Sequence, residues 1–154
     1  MNTSNFIVYT KVNYKYKLAK DYIHKLSFTI DKDIKTPFIE LYKDGTLIVK
    51  AFYAWDGCSG IAVDDDTNMR GGLVHDALYQ LMREGYLSVS IRILADKELK
   101  DICIADDMNR IRASLYFDAV EIFGEQYAGK QEEKIYTAPK QKKYQFVEGD
   151  LCLT

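Results

Sequence analysis

The tetrapeptide Lys43-Asp44-Gly45-Thr46 is the strongest constraint on the fold. It is flanked by two β-rich runs, Phe38-Ile39-Glu40-Leu41-Tyr42 and Leu47 to Tyr53. Asp-Gly between such runs is the best short-range signal of an antiparallel hairpin, because glycine accepts the left-handed backbone of the turn. Two earlier stretches, Asn5 to Lys17 and Ile23 to Ile30, alternate loosely between apolar and polar residues and read as strands. Residues 1–55 are therefore expected to form a small antiparallel sheet.

Beyond Ile61 the periodicity becomes helical. The run Asn68 to Glu84 carries Met69, Leu73, Ala77 and Leu81 on one stripe, widened by Val74, Leu78 and Met82. Asp64-Asp65-Asp66-Thr67 precedes it, and negative charge complements a helix N-terminus. Gly85-Tyr86 ends it. Gly71-Gly72 inside the helix costs about 1 kcal/mol per glycine, which points to close approach by a neighbour, with Trp55 to Gly60 as the candidate. A second helix is expected from Ile91 to Asp107, capped by Ser88 or Ser90. A third runs from Asn109 to Phe123 with Ile111, Leu115, Ala119 and Ile122 inward and Gly124 as the stop. Residues 125–154 are less periodic. Lys130, Lys134, Lys140, Lys142 and Lys143, with Pro139, read as an exposed basic arm, and Tyr144 to Val147 as a short strand. The expected class is α+β: an antiparallel sheet, a bundle of about three helices and an extended C-terminal arm, in one domain of 154 residues.

The net charge of −2 gives no reason to expect nucleic acid as the main partner. Cys58, Cys103 and Cys152 are odd in number and widely spaced, so a reducing compartment is the simpler expectation. Residues 1–9 are too short and polar for a signal peptide, and no apolar run approaches the roughly 20 residues of a membrane span. The chain is expected to be made and folded in the cytoplasm.

Chemistry concentrates in Val74-His75-Asp76-Ala77-Leu78-Tyr79. His75 and Tyr79, four apart, share a helix face, while Asp76 is turned away by about 100°. A histidine acts as a general base near neutral pH when a carboxylate orients its ring. Asp76 is poorly placed for that. Asp96, on the edge of the next helix, is the better candidate if the two helices are antiparallel neighbours. Asp76 is then available to a hard, oxygen-ligated cation such as Ca²⁺, with backbone carbonyls from the glycine-containing loop Trp55-Asp56-Gly57-Cys58-Ser59-Gly60. His24 shows no partner in sequence and reads as a structural or surface residue.

His75-Asp76-x-x-Tyr79 resembles the His-Asp-x-x-Tyr signature of secreted and bacterial phospholipases A2. The order of a glycine-containing loop, Val63-Asp64-Asp65, a helix, and then Ala95-Asp96 on a second helix is similar to that family as well. The stretch from Trp55 to Phe123 more closely resembles an uncharacterised phage and prophage family, a domain of unknown function. Its pattern is Asp-Gly-x-Ser, His-Asp-x-Leu-Tyr, Ala-Asp and a closing Phe-Gly, here Phe123-Gly124. The phospholipase resemblance implies that His75 takes a proton from water attacking an ester carbonyl. It implies that Asp96 holds the imidazole tautomer and that Tyr79 hydrogen-bonds Asp96. It also implies that Asp76 binds Ca²⁺ with carbonyls near Gly57 and Ser59 or Gly60. The secreted enzymes' cysteines beside the histidine are replaced here by Leu73 and Leu78 or nearby apolar residues.

Other readings stay open. Asp56, His75, Asp76 and Asp96 would make a metal-hydrolase cluster, and Ser59 would be a nucleophile with His75 as its base. Trp55 is a packing residue or a platform at the mouth of the site. Two functions are carried forward. One is a phage-encoded, Ca²⁺-assisted hydrolase of phospholipid or another ester. The other is a non-enzymatic virion or assembly protein, associated with other phage virion proteins, that keeps the fold.

Overall fold

A computed structural model describes residues 3, 5–12, 15–57 and 64–129. The class is α+β, with antiparallel strands followed by helices. The strands are β1 (Tyr9–Val12), β2 (Lys15–Leu18), β3 (Tyr22–Lys25), β4 (Ile34–Lys35), β5 (Ile39–Leu41), β6 (Thr46–Val49) and β7 (Ala54–Trp55). They form two sheets rather than one, ordered β1-β2-β7 and β3-β6-β5-β4. The stretch Asn5 to Lys17, expected as a single strand, holds most of an antiparallel pair, with Tyr9 opposite Leu18. Loose alternation cannot distinguish one long strand from two short ones.

The Asp-Gly hairpin forms between β5 and β6, with Leu41 opposite Leu47. Its loop has three residues. Gly45 N–H donates to the Tyr42 carbonyl, and Tyr42 N–H to the Thr46 carbonyl. Gly45 has φ +84°, the left-handed residue that closes such a loop. Asp44 accepts from Thr46 N–H at 2.9 Å and fixes the turn.

Three long helices follow: α1 (Met69–Arg83), α2 (Arg92–Ala105) and α3 (Arg110–Phe123), then the single turn α4 (Glu125–Ala128). α1 ends as expected. Gly85, at φ +78°, donates to Met82 O while Tyr86 donates to Leu81 O, a Schellman closure that glycine permits at no steric cost. A 3₁₀ turn, Val89–Ile91, capped by Ser88, leads into α2. Asn109 caps α3, its side chain accepting from Ile111 and Arg112 N–H.

α1 is the central helix. Leu73, Val74, Ala77, Leu78, Leu81 and Met82 are buried in one core with Leu18, Tyr22, Ile39, Leu41, Leu47 and Val49 of the strands. A smaller core joins Leu99 and Cys103 of α2 to Met108 and to Ala113, Tyr116 and Val120 of α3. The inward face of α3 therefore differs from the expected one: Ile111, Leu115 and Ile122 are exposed. Both faces of α3 are apolar, so periodicity alone selects neither. Gly71 supports close packing, and its nearest described neighbour is α2; Cys58 to Gly60 of the expected neighbour lie outside the described residues. A Cβ there would lie 2.9 Å from Leu99 Cδ1 and 3.0 Å from Cys103 Sγ.

The acids ahead of α1 tie the helix start to other elements. Asp64 accepts from the Tyr16 hydroxyl at 2.9 Å, and Asp65 pairs with Arg112 of α3 at 2.6 Å. No helix among the described residues is long and apolar enough to cross a membrane. The basic arm and the short strand expected at 144–147 lie outside the described residues.

Candidate active site

α1 and α2 run antiparallel, and the side chains that meet across them form the site. His75 Nε2 lies 2.9 Å from Asp96 Oδ1. The Tyr79 hydroxyl donates to the same oxygen at 2.7 Å. One turn of α1 separates His75 from Tyr79, and their rings stack at 4.0 Å between centroids, tilted by 32°. Arg92 Nη1 donates to the other oxygen, Asp96 Oδ2, at 3.2 Å from one turn earlier on α2. Asp96 is 0% exposed, deeper than the stripe edge expected for it. A buried carboxylate needs partners, and this one has three.

The support extends to α3. Arg92 Nη1 also donates to the Glu121 carbonyl at 2.9 Å, near the end of that helix. Gly124 follows, with φ −71° and ψ −23°, so its backbone has no need of glycine. The need is steric: a Cβ at Gly124 would overlap both the Tyr79 hydroxyl and the Val120 carbonyl. Sequence reasoning missed Arg92, although an i, i+4 Arg-Asp pair on a helix was a readable signal. Gly124 reads in sequence as a helix stop and as the end of the closing Phe-Gly, with no sign of its contact with Tyr79.

Electrostatics follow from this geometry. Burial disfavours a charged His75 ring, but the carboxylates of Asp76 and Asp96 outweigh it and hold the pKa above the ordinary 6.5. Asp76 Oδ1 lies 3.9 Å from Nδ1, within ion-pair range but too far for a hydrogen bond. Burial, then the hydrogen bond to Asp96, raise the Tyr79 pKa, so the phenol stays a donor. With Nε2 held by Asp96, Nδ1 is the ring nitrogen left for a proton. The His75 side chain is 12% exposed.

No family model matches the chain, and no curated protein or solved structure was found to match it.

The structure brings together His75, Asp96 and Tyr79, with Asp76 alongside. Trp55 is buried instead of lining a mouth, packing edge-on to Tyr9 at 5.7 Å and tilted on Tyr16 at 5.5 Å. Asp56 is exposed beyond it. Gly57, at φ +78°, faces the Asp64 carboxylate, which a Cβ would overlap. Ser59 and Gly60 lie outside the described residues, as does Cys58. Among the described residues no three His, Cys, Asp or Glu side chains gather to hold a metal, so the four-residue cluster of Asp56, His75, Asp76 and Asp96 is not assembled. Of the residues expected to hold Ca²⁺, Asp76 and Gly57 are described and Ser59 and Gly60 are not. The described Cys103 is an inert thiol, its pKa pushed up to about 12 by burial.

His24 is part of a second buried polar group. Its Nε2 lies 2.7 Å from Glu98 Oε1, and its Nδ1 3.2 Å from the Tyr22 hydroxyl. Ser27 donates to Glu98 Oε2 through both N–H and hydroxyl, at 3.0 and 2.6 Å. Arg70 reaches the Tyr22 hydroxyl at 3.3 Å and grips Asp106 with Nε and Nη2. Ser27 Oγ donates to Glu98 and not to His24, so this group is a clasp between sheet and helices rather than a nucleophilic triad.

Proposed function

We propose that this chain is an ester hydrolase of phospholipase A2-like chemistry, encoded by a phage and directed at lipid or another ester. The observation that carries the reading is the His75–Asp96 contact at 2.9 Å, with Tyr79 on the same oxygen. In neutral His75 the Nε2–H donates to Asp96, which fixes the tautomer and leaves the Nδ1 lone pair as the base. Nδ1 takes a proton from a water as that water adds to the ester carbonyl. Asp96 stabilises the imidazolium that forms, and Tyr79 and Arg92 keep Asp96 in place. The protonated Nδ1 then returns its proton to the departing alkoxide.

The test is fatty-acid release from mixed phospholipid vesicles, with Ca²⁺ or EDTA, for wild type, His75→Ala and Asp96→Asn. The expected result is release that falls about 10²-fold or more in both variants. Calcium dependence would assign Asp76 its ligand role, and Asp76→Asn would then abolish it. No release by a folded wild type under either condition would overturn the proposal.

One observation favours a second reading. His75 is largely enclosed, and its contacts with Asp96 and Tyr79 also make a clasp between α1 and α2. On that reading the chain is a virion or assembly protein in which the same contacts are structural. The His75→Ala variant would then lose stability and no activity.

A further inference from the structure

We infer that the outer face of α3 is an interface with a second copy of this chain, paired antiparallel. Ile111, Leu115 and Ile122 are 73%, 65% and 70% exposed. Single exposed aliphatics are ordinary, but these three are not scattered. Ile111 and Ile122 are eleven positions apart, which is three turns and a rotation of only about 20°. Leu115 lies between them on the same face. The stripe is about 16 Å long at 1.5 Å per residue. The inner face of the helix is already occupied by Ala113, Tyr116 and Val120 against α2.

The charges of α3 identify the occupant. A helix is stabilised by acids in its first turn and bases in its last. α3 has neither: its first turn carries Arg110 and Arg112, and Asp118 and Glu121 lie in its second half. That arrangement opposes the helix dipole in a lone chain. Arg112 is paired with Asp65 within the chain, and in an antiparallel pair the remaining Arg110 at the start of each helix meets the acidic end of the other. With Ile111 set against Ile122 of the second copy, Arg110 falls within about 3 Å, along the axis, of that copy's Glu121. Arg110 and Glu121 lie on the same edge of the stripe, roughly 20° apart, and same edges face each other in an antiparallel pair. Arg110 and Glu121 form no ion pair among the described residues. A lipid surface fits less well, since carboxylates flank the apolar residues. Asp118 interrupts the stripe near its middle, where this register sets it opposite Leu115 of the second copy and about 4.5 Å along the axis from that copy's Asp118.

The test is sedimentation velocity of the full chain at tens of micromolar. The expected species has twice the 17.8 kDa chain mass. Leu115→Lys and Ile122→Lys should weaken the dimer by about tenfold or more, with circular dichroism and thermal midpoint of the monomer unchanged. Arg110→Glu and Glu121→Arg should each weaken it, and the two together should restore it. Asp118→Asn should tighten it. A monomeric wild type would overturn the proposal. If that monomer pellets with phosphatidylcholine vesicles, lipid is the occupant. If its Leu115→Lys variant unfolds at lower temperature, the same chain covers the stripe. A dimer indifferent to Leu115→Lys and Ile122→Lys, or one that the paired charge reversal fails to restore, would also overturn it.

Discussion

Replacing Gly124 by alanine should destabilise the protein, against the usual direction for such a change. At a helical φ and ψ, Gly→Ala normally adds about 0.4–1 kcal/mol by restricting the unfolded chain. Gly124 has such angles, −71° and −23°. The new methyl would overlap the Tyr79 hydroxyl and the Val120 carbonyl alike. Tyr79 cannot withdraw freely, because its hydroxyl is held 2.7 Å from Asp96. Either the backbone shifts, at about 1–3 kcal/mol, or the hydrogen bond to a charged acceptor is lost, at about 1.5–3 kcal/mol. After the entropic gain, the net loss is about 1–2 kcal/mol. For a chain of this size that lowers the thermal midpoint by roughly 2–8 °C. The decisive comparison is made in a Tyr79→Phe background. Without the hydroxyl, part of the overlap disappears and no hydrogen bond is at stake, so Gly124→Ala should cost less there. Urea unfolding of the four proteins gives the coupling. A neutral or stabilising Gly124→Ala, or an equal cost in both backgrounds, would refute the steric account of Gly124.

Three further outcomes follow from the same geometry. Because the His75 pKa is raised above 6.5, the stability due to its charged form is complete below that pH and is lost as pH rises through the folded value. Urea stability should therefore fall across that interval while the proposed ester hydrolysis, which would need the neutral ring, rises; Asp96→Asn should flatten the stability slope, and an unchanged slope would refute the pairing. Glu98→Ala should cost about 3–5 kcal/mol in urea unfolding, because it leaves His24 and both Ser27 donors without their acceptor. Gly71→Ala should lose about 1–3 kcal/mol to overlap with Leu99 and Cys103, partly offset by about 1 kcal/mol of helix propensity, so calorimetry should show a small net loss and not a gain.

Much of the site was legible because its signals are local. The spacing of His75 and Tyr79, the ends of α1 and the Asp44-Gly45 turn all rest on chemistry within a few residues. Asp96 was legible only on the condition that two helices lie antiparallel, and the structure meets that condition. What stayed hidden depends on contacts distant in sequence. His24 shows no partner in its own stretch because Glu98 lies 74 residues away. Trp55 is surrounded by rings from β1 and β2, so its neighbours could not be read from its own loop. The orientation of α3 was undecidable from periodicity, since Ile111-Leu115-Ile122 and Ala113-Tyr116-Val120 are both helical stripes. Packing chose the second, where the small Ala113 lets α3 settle onto Leu99, Cys103 and Met108.

The helices that carry the site share one register, and this is why distant glycines matter to it. At the start of α1, Arg70 meets Asp106 just beyond the end of α2. One residue on, Gly71 meets Cys103 and Leu99. Further along, His75 and Tyr79 meet Asp96. The residue numbers rise on one helix as they fall on the other, as for antiparallel neighbours in contact along their length. Without a side chain at Gly71, the two backbones approach closely at one end. That approach lets the short aspartate side chain of Asp96 reach two groups of α1 at the other end. Gly124 completes the arrangement by making room for the Tyr79 hydroxyl between α3 and the carboxylate. A bulkier residue at either glycine would leave every member of the site in place in the sequence but lengthen the contacts that orient His75. The proton transfer proposed for His75 would depend on those contacts, so the proposed hydrolysis should respond to both glycines.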